Sequence, residues 1–107
     1  MHNEFEKEFM KFSQYIKNLN KGFIDLWDCE INQYTALKQE LEKFKNHDKY
    51  ERVKADVESM LAFLSVFKEK TEKEGCFFSC LDLFGKQEKK LKESIAQIEG
   101  LEIPDIE

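Results

Sequence analysis

Proline and glycine are scarce in this chain, with one proline and four glycines among 107 residues. A fold of many strands needs frequent tight turns and the residues that make them, so this scarcity argues against an all-β protein and for long uninterrupted helices. Arginine is scarcer still relative to its charge class. Arg52 is the single arginine beside many lysines, and the net charge is −5 with a pI of about 5.2. Nucleic-acid binders displace counterions with a basic face and read phosphates and base edges with the planar guanidinium fork, so nucleic acid is excluded as an expected partner. The densest basic stretch, Lys86, Lys89, Lys90 and Lys92, is interrupted by Gln87, Glu88 and Leu91 and reads as a solvated helix face.

Long hydrophobic runs are also missing. The longest apolar-rich stretches, Met60–Phe67 and Cys76–Phe84, fall well short of the roughly 18–20 residues that cross a bilayer. The first ten residues, MHNEFEKEFM, are acidic and do not read as a secretory signal. Three cysteines, an odd number, fit a reducing compartment, and a cytoplasmic location is expected.

Catalytic signatures are absent in the same way. The serines at 13, 59, 65, 79 and 94 lack a nucleophile-elbow context, and no glycine-rich phosphate loop is present. His2 and His47 lie far apart, and neither has the Glu-x-x-His spacing of a di-iron bundle or a zinc-hydrolase pair. Carboxylates such as Glu4, Glu6 and Glu8, or Glu69, Glu72 and Glu74, are what solvated helix faces carry. Cys76 and Cys80 are four apart and would share one helix face. With Cys29 or His47 they could form a metal half-site or redox pair. A cysteine metal site usually repeats its spacing or adds a histidine pair, and here the flanking Phe77, Phe78 and Leu81 favour burial. Cys29, beside Trp27, likewise reads as a buried thiol. No catalytic residue, cofactor or metal is expected.

What is present is helical periodicity. Apolar residues recur at Phe5, Phe9, Phe12, Ile16, Leu19, Phe23, Trp27, Ile31, Tyr34, Leu37, Leu41 and Phe44, always three or four apart. Asn3 with Glu6 has the spacing of a capping box, so the first helix is expected over residues 4–45, about 60 Å long. Gly22, with Asn18 and Asn20 before it, is a point of weakness, but the stripe keeps its phase across it, which favours one helix. Asp48 with Glu51 suggests a second cap, and a helix over 49–74 with Tyr50, Val53, Val57, Met60, Leu64, Phe67 and Thr71 on one seam. Leu61, Ala62, Phe63 and Val66 lie off that seam, so this helix should be covered from more than one side. The segment Cys76–Phe84 lacks a clean period and reads as a corner or short helix. A last helix is expected over 86–99, then an extended, partly frayed tail over 100–107.

The expected architecture is therefore all-α: one domain over 1–107, an elongated antiparallel helical bundle with a long first helix, two or three shorter ones and coiled-coil-like packing. The second and third helices would lie end to end along the first, or another subunit would cover it. The expected function is that of a non-enzymatic interaction module, adaptor or chaperone-like, acting through an apolar groove or by dimerisation. The expected partner is a protein, with a homodimer among the possibilities, and the partner-binding residues are Leu61, Phe63, Val66, Phe77 and Phe78. Two alternatives belong to other classes. One is a thiol-based metal or redox sensor using Cys76, Cys80 and Cys29. The other is a membrane-surface helical protein, against which the acidic balance counts.

Overall fold

A computed structural model describes residues 2–105, with the side chain of His2 outside the description. Helix α1 spans His2–Leu41, α2 spans Tyr50–Glu74 and α3 spans Phe77–Ile95. A 3₁₀ turn, Glu42–Phe44, follows α1. No strand occurs among the described residues. The protein is all-α and elongated, with extents of 70 × 23 × 16 Å.

The phase-coherent stripe behaves as a single helix. Gly22 lies inside α1 without a break, its backbone in the ordinary helical region. Neither capping box forms in the expected place. Asn3 already lies inside α1. The cap of α2 is Lys49, with no side-chain bond from Asp48; instead His47 Nδ1 accepts the backbone N–H of Lys49 at 3.0 Å. At the other end of α2, Gly75 adopts φ 68° and donates its amide to the carbonyl of Thr71. A left-handed residue there reverses the chain within two residues, and glycine adopts it without strain.

This tight reversal decides the topology. α3 starts at Phe77 and runs through Gly85 to Ile95, so the segment expected to be a corner is the first half of a helix. α3 therefore folds back beside α2 as a hairpin; the two do not lie end to end. α2 runs antiparallel to α1: Asp28 pairs with Lys68 at 2.7 Å and Lys38 with Glu58 at 3.5 Å, ten residues apart on both helices. α3 is tied back to α2 by Ser94 Oγ, which donates to Asp56 at 2.6 Å. Residues 96–99 form turns, not a continuation of the helix. Past Gly100, at φ 90°, the tail is extended but docked: Leu101 is buried and Gln33 donates to the Pro104 carbonyl. The expected fraying does not extend to these residues, and Ile106 and Glu107 lie outside the described residues.

The core follows the seams. Trp27, Tyr34, Leu37 and Leu41 of α1 meet Tyr50, Val53, Val57, Met60, Leu64 and Phe67 of α2, and Phe77, Cys80, Phe84, Leu91 and Ile95 of α3. α1 and α3 meet through large rings. Phe23 stacks on Phe77 at 3.9 Å between centroids, and Trp27 and Tyr34 both pack edge-on against Phe84. The indole N–H of Trp27 donates to Thr71 Oγ1 at 2.8 Å, with both residues buried.

Two stability measurements test this account. Thr71→Val leaves the indole N–H buried without an acceptor and costs about 1–3 kcal/mol in urea unfolding, whereas Thr71→Ser keeps the hydroxyl and costs less. Gly85 sits exposed inside α3, and a Cβ there would meet nothing within 4 Å. Gly85→Ala is therefore expected to stabilise the protein by about 0.5–1 kcal/mol.

Candidate functional site

The hairpin of α2 and α3 is shorter than α1, so it covers only the half of the stripe that begins at Phe23. The preceding turns project as an arm of about 30 Å. Their stripe faces solvent: Phe5 is 74% exposed, Phe9 61% and Phe12 63%, with Ile16 and Leu19 also exposed. At 100° per residue these five side chains fall within about 40° of one line, the line that Phe23 and Trp27 continue into the core. Tyr15 and Leu26, both exposed, flank it on one side. The arm stays helical through local contacts. Phe5 stacks on Phe9, Gln14 bonds Asn18, and Lys11 pairs with Glu8. Periodicity made this stripe visible in the sequence; its exposure is a consequence of hairpin length.

The five residues expected to bind a partner do not form one groove. Phe77 is withdrawn into the core and Leu61 is half-buried against it. Phe63 and Val66 are exposed on α2, so the all-round apolar stretch at 60–67 is left partly uncovered, contrary to the expectation that it must be enclosed. Phe78 is 73% exposed at the head of α3, 5.7 Å edge-on from Phe23, at the root of the arm. Phe78 therefore adjoins the exposed stripe, while Phe63 and Val66 make a separate patch. Between α2 and α3 lies an open groove of about 500 Å³, edged by Arg52, Asp56, Phe63, Lys90 and Glu93.

The thiols are dispersed in character. Cys80 is buried, and burial, with Cys76 beside it, pushes its thiol pKa up, opposite to a reactive thiolate. Cys76 is half-buried at the start of α3, its Sγ 3.7 Å from a Glu74 carboxylate oxygen. Cys29 is exposed, against the expectation of a buried thiol, because it points away from the stripe that carries Trp27. No group of three or more His, Cys, Asp or Glu side chains is placed to hold a metal among the described residues.

One titratable cluster was not legible from spacing. Glu30 and Tyr34 of α1 face Glu88 of α3, with Tyr34 Oη donating to Glu88 at 3.3 Å and Lys92 pairing with Glu88 at 3.6 Å. Burial raises the Glu30 pKa and Glu88 raises it further, while Lys92 opposes them. One Glu30 oxygen is buried without a hydrogen-bond partner. Burial, then the charges of Glu88 and Glu30, also raises the Tyr34 phenol. Two carboxylates in such a place can share a proton, but catalysis also needs a substrate within reach of both. The hollow alongside is lined by Glu88, Lys92 and Ala96, with neither Glu30 nor Tyr34 in its wall.

No helix among the described residues is long and apolar enough to cross a membrane. Comparison with protein-family models, curated proteins and solved structures finds no match for this chain.

Because the folded-state pKa of Glu30 lies above its ordinary value, the folded protein holds that proton more tightly than the unfolded chain. Stability contributed at this position is then lost as pH rises through the raised pKa. Glu30→Gln should raise the melting temperature by about 2–4 °C at pH 7 and change little near pH 4, where the carboxyl is protonated. Thermal melts of both proteins across that range measure the difference.

Proposed function

We propose that this chain is a non-enzymatic contact protein, an adaptor or chaperone-like helical module that works through the uncovered stripe of α1. The observation that carries this reading is the line Phe5, Phe9, Phe12, Ile16 and Leu19, exposed over about 21 Å and in phase with the buried seam that begins at Phe23. Leaving three phenylalanines in water forgoes roughly 1.5–3 kcal/mol for each ring that burial would gain. Contiguous apolar surface of this kind marks interaction sites in soluble proteins. A rigid helix with anchors three and four residues apart is also the form in which helices bind other helices.

The bundle half supplies the base from which the arm is held. Its rings fix Phe23 and Trp27, so the arm leaves the core as a continuing helix whose nucleation has already been met. Three free thiols and the acidic balance suit a reducing cytoplasmic setting.

Affinity capture from the native cell tests the reading. Wild-type protein is expected to retain a protein partner, another copy included, and Phe9→Glu/Phe12→Glu to retain at least tenfold less. Both proteins should have the same Trp27 emission and closely similar melting temperatures, since the arm lies outside the core. Phe63→Glu, on the separate α2 patch, should capture as the wild type does. Equal capture by wild type and the arm variant, or none by either, would sink the proposal.

A further inference from the structure

We propose that the occupant of the arm is a second copy of this chain, docked antiparallel so that two arms cover each other. This rests on the reading of the arm as a contact surface and names its partner. Three observations point to it.

The first is charge. Between residues 3 and 10 the arm carries Glu4, Glu6 and Glu8 against Lys7 alone; between 11 and 22 it carries Lys11, Lys17 and Lys21 and no acid. An antiparallel pair directs the acidic end of each arm toward the lysine end of the other, with Glu6 on the same flank of the stripe as Lys17 and Lys21, and opposes the helix dipoles favourably. A parallel pair would set like against like. An anionic lipid surface would meet three carboxylates at the tip of the arm, so the same segregation disfavours it.

The second is area. Each stripe exposes about 500–600 Å² of apolar side chain, so a pair buries about 1,100 Å² before flanking contacts. That clears the roughly 1,000 Å² that separates a specific interface from a chance contact, at the small end of the scale.

The third is register. The stripe's spacing of four and three residues is that of a two-helix seam. The α2–α3 reversal at Gly75 and Cys76 closes the stripe at Phe23, which acts as a stop for an incoming helix. An arm advanced to that stop places Phe12 opposite Ile16 of the partner subunit and Phe9 opposite Leu19 of the partner subunit. Phe5 then reaches the partner's Phe23 where Phe78 of the partner subunit stands exposed. Sliding outward uncovers a phenylalanine from each arm.

The test is absolute mass by sedimentation equilibrium from about 1 to 200 μM, with carbodiimide coupling of a mixture of isotope-labelled and unlabelled full-length chains. The expected result is a species of twice 12.8 kDa, joined between chains from Glu6 to Lys17 or Lys21. Phe9→Glu/Phe12→Glu should weaken association at least a hundredfold with helicity of the bundle retained. Reversing all six of Glu4, Glu6, Glu8, Lys11, Lys17 and Lys21 should preserve the dimer, whereas reversing the three glutamates alone should weaken it. A monomer throughout the range overturns the inference, and so does a dimer insensitive to the arm variant or coupled through other residues. A monomer that captures a different protein through Phe9 and Phe12 leaves the contact reading standing. A monomer that captures no protein and co-sediments with phosphatidylserine vesicles through the same residues overturns both.

Discussion

The indole of Trp27 is the point at which the three helices become one structure. Its ring packs against Phe67 of α2 and against Phe77 and Phe84 of α3. Its N–H reaches across α2 to Thr71, so the most polar atom of the node is satisfied inside the core. Phe23, stacked on Phe77, and Tyr34, against Phe84 and Glu88, also join α1 to α3.

From that node the rest follows by length. α2 has 25 residues and α3 has 19, against 40 in α1. Once Gly75 reverses the chain, both shorter helices cover the same half of the longer one, and neither reaches along the other half. The exposure of the stripe is thus a by-product of chain reversal at one glycine. The arm needs no special sequence beyond continuing the stripe, and its helix persists because the packed half has already met the cost of nucleation.

The polar groups divide along the same line. The ion pairs Asp28–Lys68 and Lys38–Glu58 lie at the rim of the α1–α2 seam and set register more than stability. Glu30 is the exception, drawn partly into the α1–α3 space by the large rings on either side of it and held there beside another acid. Its burial beside Glu88 makes the ionised carboxylate costly to hold in the folded protein, and the hollow alongside is walled by Glu88 but not by Glu30.

The sequence by itself determined the helices and their inward faces, because apolar residues three and four apart must share one side of a helix. The stripe from Phe5 to Phe44 and the seam from Tyr50 to Thr71 were readable for that reason, as was the continuity through Gly22. Periodicity cannot say whether a stripe is covered. Phe9 and Leu37 are equivalent in the pattern, yet one is in water and the other fully buried. Nor could it separate Phe77 from Phe78, neighbours of the same type about 100° apart on one helix, or see that Glu30 and Glu88, 58 residues apart in sequence, would face each other. Those outcomes depended on where the chain reverses and which helix then lies alongside. The long amphipathic helix was written in local spacing; its division into a buried half and an open arm was decided by tertiary structure, since only packing sets how far a neighbour reaches.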